Sequence, residues 1–270
     1  MGISIQNSAG MLKTLNSSSS AIQSSMKNIA TGLKINSAAD DASGYQILTR
    51  MNVSAGTLAQ SSQNTQTSNA LLKTADGAIG STVSSLSSLH DQLLKAANGT
   101  NNDADISALQ QQVNQTVSQI SDNAGVTFND KSLLDGSAKI TVAGDNGYKN
   151  VSLPDMSAQT LGLQDSKGNS TLDLSTSKGI SNALDVVDTA LQNALSQQTK
   201  IGATQEGLDF SASNYTTQAA SVTEAASTTG DSDMAKQITN LKSSQTQQTI
   251  ALHLMTLSNH RNTDVLALLG

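Results

Sequence analysis

The sequence predicts a mainly α protein whose long, coiled-coil-like helices form two stacked, discontinuous bundles, with a small β-hairpin in between. Three observations carry this expectation. Apolar residues recur at alternating spacings of three and four in both halves of the chain. Only the middle switches to short β-type runs. Leu, Ile, Val and Phe together number 57 of 270 residues, about 21%, close to the ~20% below which a highly charged chain stays disordered. So little apolar surface suits thin helices that complete their burial against partners, and argues against a thick-cored α/β enzyme.

The first helix is read from Leu12, Leu15, Ser19, Ile22, Met26, Ile29 and Leu33, a heptad stripe with one polar member. Gly32 and then Asn36-Ser37 stop it, and Asp40 and Asp41 offer carboxylates to the positive N-terminus of the next helix. That second helix keeps its period through Leu48, Met51, Ala55, Leu58, Ser62, Thr65, Asn69 and Leu72, and then through Ile79, Val83, Leu86, His90 and Leu93, ending at Asn98-Gly99. Asp103 or Asp105 is expected to cap a shorter third helix carrying Ile106, Leu109, Val113, Val117 and Ile120, which ends at Asn123-Ala124-Gly125.

Between 138 and 175 the pattern changes. KITVA and YKNVSL flank Gly144-Asp145-Asn146-Gly147, whose Asn-Gly pair predicts a hairpin, and a Gly/Asn/Ser-rich loop follows. A fourth helix runs from Ile180 through Leu184, Val187, Leu191, Ile201, Leu208 and Tyr215 to Val222, ending near Gly230. The fifth starts at Asp231 or Ser232 and carries Met234, Ile238, Leu241, Gln245, Gln248, Leu252 and Met255, and the chain closes on Val265, Leu266, Leu268 and Leu269. Matching heptads at the two ends predict that they lie along each other. Residues 1–42 with 231–270 then form one bundle and 43–230 the other.

Composition excludes several functions. There is no cysteine, hence no disulfide, thiolate metal site or cysteine nucleophile. Net charge is −6, with the ends (1–50 and 231–270) at +2 and the middle at −8, and the arginines are Arg50 and Arg261 alone. No basic stripe can neutralise phosphates, so no nucleic-acid partner is expected. No run of ~18 apolar residues could span a membrane. The N-terminus, MGISIQNSAGMLK, has neither the early cation nor the apolar run of a cleavable secretory signal, so export is expected by another route. His90, His253 and His260 form no H-E-x-x-H pair. Asp103 and Asp105 lack both the central glycine and the twelfth-position glutamate of a calcium loop. Neither catalytic nor metal site, nor any cofactor, is expected.

The block IATGLKINSAADDASGYQILTRM, Ile29 to Met51, closely resembles the N-terminal signature of bacterial flagellins. ADGAI at 75–79, AANGT at 96–100, TFNDKSLLDGS at 127–137, QTLGL at 159–163 and the VLALLG terminus follow in flagellin order. The resemblance implies an inner-core domain built from both chain ends, a spoke near 34–43 carrying Asn36, Ser37, Asp40, Asp41 and, just beyond, Arg50, and an outer-core domain of helices plus hairpin. With about 45 residues between the two helical arms, the chain looks like a short flagellin without variable outer domains. It departs from the family pattern at Gln63, Gly207, His260-Arg261 and Gly270.

What the resemblance further implies is a helical homopolymer, the extracellular flagellar filament of swimming motility, exported through the flagellar type III apparatus and added at the tip. The implied partners are other copies of the chain, hook-junction and cap proteins, and an export chaperone on the C-terminal arm. The competing readings are the hook–filament junction protein and a helical secreted adhesin or effector. Flagellins sensed by the flagellin-specific Toll-like receptor usually resemble LQRxRELA before the ANGT turn. Here Ser88, His90, Asp91 and Gln92 occupy that stretch and Gln112 the facing helix. Loss of a guanidinium and an apolar anchor implies weak activation.

Overall fold

The computed structural model describes the backbone of residues 2–144 and 147–269, and the side chains of these except 2–8, 142–144, 147–149, 262 and 265–269. Among the described residues there are five helices: α1 (Gly2–Thr31), α2 (Ala42–Ala96), α3 (Asp103–Ala124), α4 (Ser177–Gly230) and α5 (Met234–Leu269). Four short strands join them: β1 (Thr127–Phe128), β2 (Lys131–Ser132), β3 (Lys139–Gly144) and β4 (Gly147–Ser152). The chain packs as two compact units, Met1–Gly56 with Ala219–Gly270, and Thr57–Gln218. These limits fall within α2 and α4, whereas the sequence-derived limits at 42 and 231 follow helix breaks.

Helix ends show which side chains the backbone recruits. Asp41 caps α2, its Oδ1 accepting from Gly44 N at 3.0 Å. The expected cap of α3 by Asp103 or Asp105 is corrected. Asn102 is the cap, accepting from Ala104 N and Asp105 N, and Asp105 reaches back to Asn102 N, a reciprocal capping box. Asp233, not Asp231 or Ser232, begins α5, its Oδ1 accepting from Lys236 N at 3.0 Å. Asp231 is drawn away by Ser227, whose hydroxyl donates to it.

In the Thr57–Gln218 unit the heptads of α2 and α4 face inward as expected. Leu72, Ile79, Leu86, Leu89 and Leu93 of α2 meet Val113, Val117 and Ile120 of α3 and Ile180, Val187, Ala194, Ile201 and Leu208 of α4 in one core. Towards the N-terminal part of this stretch the stripe turns polar. Ser62 bonds Thr216, and Asn69 Nδ2 donates to Asp209. Asn69 is buried, and its Oδ1 has no partner among the described residues.

Two features here escape periodicity. β1 and β2 form a hairpin around Asn129-Asp130, both with positive φ (49° and 61°), the left-handed pair that a two-residue turn of this hand requires. The stretch after β4 is no passive loop. Leu153, Met156, Leu161, Leu163, Leu172 and Leu174 are buried in the core. Gln110 of α3 holds its end, donating to Leu172 O at 2.8 Å and accepting from Leu174 N at 3.0 Å. The expected hairpin of β3 and β4 is antiparallel with Gly144 opposite Gly147, so Gly147 belongs to a strand and the two connecting residues, Asp145 and Asn146, lie outside the described set.

Candidate assembly surface

In the other unit, α1 and α5 pack along each other. Gly32, at φ +72°, turns the chain out of α1, its N–H bonding Asn28 O at 2.9 Å. Leu33 then pairs with Asp231 in an isolated antiparallel bridge, flanked by Lys34 N to Gly230 O (2.7 Å) and Ser232 N to Gly32 O (2.8 Å). The C-terminal end of α1 thus meets the start of α5, and the two helices run antiparallel.

The spoke residues converge on one carboxylate. Asp40 Oδ2 accepts from Asn36 N at 3.0 Å, Ser37 Oγ at 3.0 Å and Lys27 Nζ at 3.4 Å. The Asn36 backbone donor and the Ser37 hydroxyl, opposed by desolvation and joined by Lys27, hold its carboxyl below the ordinary range. The two adjacent acids therefore divide the work: Asp41 caps the helix and Asp40 closes the loop before it. Asn36 also donates from Nδ2 to Asn28 Oδ1 and Leu33 O, while Arg50 is exposed on α2. Gly44 is buried, and a Cβ there would stand only 2.6 Å from Ile35 Cδ1, which leaves no room for a side chain.

Burial splits the sequence-derived assembly stripe in two. The seam between α1 and α5 is lined by Met11, Leu15, Ser18, Ile22, Ser25 and Ile29, and by Gln237, Leu241, Ser244, Gln248, Ala251 and Met255. Its most buried members are small: Ser18, Ser25, Ser244 and Ala251. Leu12 (48% exposed), Met26 (55%) and Leu33 (39%), with Ile238 and Leu252, remain largely open. Leu12, Met26, Ile238 and Leu252 form a second row one residue beyond the seam positions Met11, Ser25, Gln237 and Ala251, at heptad intervals, while Leu33 lies past the Gly32 turn, outside α1. In an antiparallel heptad pair the two such rows lie on the same side of the seam. A reading that seeks bulky residues at three- and four-residue spacing therefore merges one true seam row with this outer row, and overlooks the serines that let the helices approach. Ser19 and Gln245 belong to the outer row; only Gln248 of the three polar stripe members lines the seam. Met234 is exposed, and the side chains of Val265, Leu266, Leu268 and Leu269 lie outside the described residues.

In the Thr57–Gln218 unit, Ser88, Asp91 and Gln112 are exposed, and His90 Nε2 stands 3.6 Å from Asp188 Oδ1. Gln92 is buried, donating to Thr116 Oγ1 at 3.1 Å. It ties α2 to α3 and is not a surface position.

Comparison with known proteins follows the same division. The family model for the bacterial flagellin N-terminal helical region matches residues 4–139, and that for the C-terminal helical region matches 184–269. The chain is 30% identical over 301 aligned positions to a flagellin of Bacillus subtilis (strain 168), covering 98% of this chain and 99% of that one. It is 36% identical over 172 positions to the B-type flagellin of Pseudomonas aeruginosa, covering 60% of this chain but 35% of that longer relative. A protein assigned as a flagellar hook-associated protein of Vibrio parahaemolyticus matches in structure at a TM-score of 0.57 and 19% identity, covering 70% of this chain and 99% of that one, a likeness of fold alone.

Proposed function

Because the chain belongs to the bacterial flagellin family, a family of structural filament proteins, we propose that it builds a filament for swimming motility by docking the outer row of its α1/α5 pair against further copies of itself. The observation that carries this is the apolar row that the α1/α5 pair leaves open, Leu12, Met26, Ile238 and Leu252, with Ile250, Leu254 and Leu257 exposed on α5 besides. Fully burying such a side chain stabilises by about 1.5–3 kcal/mol, and since these are already about half covered, docking adds roughly half of that each, which favours association of a subunit with this face exposed. Residues 1–42 with 231–270 act as the inner-core part and 43–230 as the outer-core part.

Export proceeds in this proposal through the flagellar type III route, with a chaperone covering the C-terminal arm and with hook-junction and cap proteins at either end of the growing filament. The test is imaging of the purified chain after seeding, together with restoration of swimming in a strain lacking flagellin. Long filaments and restored swimming are expected. Short caps on hooks without extended filaments would support a junction protein instead, and a persistent monomer a secreted adhesin or effector. The absence of arginine at Ser88 makes the Toll-like receptor a weak partner, and a reporter response equal to that of an arginine-bearing flagellin would overturn that.

A further inference from the structure

The turn joining α2 to α3 places an exposed Asn98 directly before an exposed Gly99. Asn98 Oδ1 accepts from Thr100 N at 3.3 Å, which folds the side chain back over the backbone that follows it. The N–H of Gly99 donates to no group among the described residues, and nothing lies within 4 Å of where a Cβ at Gly99 would stand. The surrounding chain is held. Asn98 N donates to Lys95 O at 3.2 Å, Asn101 N to Asn98 O at 3.2 Å, and Asn101 Nδ2 to Lys95 O at 2.7 Å.

We propose that Asn98 is a site of spontaneous covalent modification, in which the Gly99 nitrogen attacks the Asn98 side-chain carbonyl carbon. Hydroxide removes the Gly99 N–H proton as the N–Cγ bond forms, giving a tetrahedral intermediate with negative charge on Oδ1. The Thr100 N–H, already directed at that oxygen, stabilises the charge. The Cγ–Nδ2 bond then breaks, and the nitrogen leaves as ammonia after taking a proton from water, which restores hydroxide. Water opens the resulting five-membered imide at either carbonyl. Position 98 becomes aspartate or, with one more backbone methylene, isoaspartate. No electrons are transferred, and water and hydroxide are the only co-reactants.

Asn36-Ser37 supplies the contrast within the same chain. There Asn36 Nδ2, the nitrogen that would have to leave, donates to both Asn28 Oδ1 (3.0 Å) and Leu33 O (3.1 Å). The following residue also carries a side chain that crowds the attack. At Asn98 the product adds a negative charge just beyond the last turn of α2, where the helix dipole is itself negative, and close in sequence to Asp103 and Asp105.

The test is to age the full-length monomer at neutral and mildly alkaline pH, both folded and in urea, and to map peptides by mass spectrometry with isoaspartate detection. In the folded protein, the peptide containing Asn98 should convert faster as pH rises while the Asn36 peptide stays intact. Gly99→Ala, for which there is space, should keep its helical circular dichroism and convert several-fold more slowly. Asn98 remaining intact in the folded chain while it converts in urea would overturn the proposal, because the turn would then protect it. So would an unchanged rate in a folded Gly99→Ala variant.

Discussion

Leu33 and Asp231, almost two hundred positions apart in sequence, pair backbone to backbone in a single antiparallel bridge. Each lies just past the end of a helix, and the bridge depends on Gly32 at φ +72°. Gly32→Ala should therefore destabilise the α1/α5 unit by about 1 kcal/mol, the cost of a left-handed non-glycine residue. Gly10 lies within α1 with open space around it. Gly10→Ala should stabilise by up to about 1 kcal/mol. Urea titration of both variants checks the opposite signs, and equal signs would refute the assignment.

The outer row and the core separate in mutagenesis. Leu86, fully buried, should lose about 2–5 kcal/mol of monomer stability on replacement by Ala. Leu12→Ser or Ile238→Ser should leave monomer melting nearly unchanged while raising the concentration needed for polymerisation. A Leu12→Ser monomer that melts like Leu86→Ala would place Leu12 in the fold and not on the assembly face.

Acid should weaken the chain through its turns. Asp40, Asp135, Asp165 and Asp173 are all held below the ordinary carboxyl value of 3.8, chiefly by Asn36 N–H, Ser137, Asn169 N–H and Ser175 respectively. In Asp155, burial pushes upward first, but the Ser157 and Thr160 donors outweigh it. With the folded pKa lowered, the unfolded chain binds more protons, so the contribution is present above the ordinary value and is lost as pH falls through the folded ones. Stability should be flat above about pH 5 and fall below about pH 4. Combining Asp40→Asn with Asp165→Asn should flatten that acid slope, as read from urea midpoints across pH.

Hydrogen exchange should rank the two units. The α1/α5 seam buries mainly serine and alanine, whereas α2 buries Leu72, Leu86, Leu89 and Leu93 completely. Amides of α1 and α5 should exchange faster than those of 72–93 in the monomer and become protected in the polymer, while those of 72–93 are protected in both. Terminal helices as strongly protected as 72–93 in a verified monomer would refute this ranking.

Much of this architecture was legible in the heptads, because large residues such as Leu72, Ile79, Leu86 and Leu93 announce a helix face unambiguously. Small residues do not. Ser18, Ser25 and Ser244 carry no hydrophobic signal, yet they occupy the α1/α5 seam, since close helix approach needs little volume there. The buried leucines at 161, 163, 172 and 174 were hidden for a different reason: their spacing follows an irregular path with no period to detect. Asn102 lost to Asp103 and Asp105 in the sequence reading because neighbouring Asn and Asp are nearly equivalent caps until the helix start is fixed. The Asn129-Asp130 turn was readable from residue type alone, but its strands are only two residues long.

The antiparallel meeting of α1 with α5 also imposes an order in time. Ribosomes make a chain from its N-terminus, so α1 emerges well before its mate, with more than two hundred residues to be made in between. Joining them closes the largest loop in the molecule, and that entropy is recovered only when the final segment arrives. A helix made early thus finds its place late, and until α5 is made α1 carries a serine-lined edge with nothing to pair it.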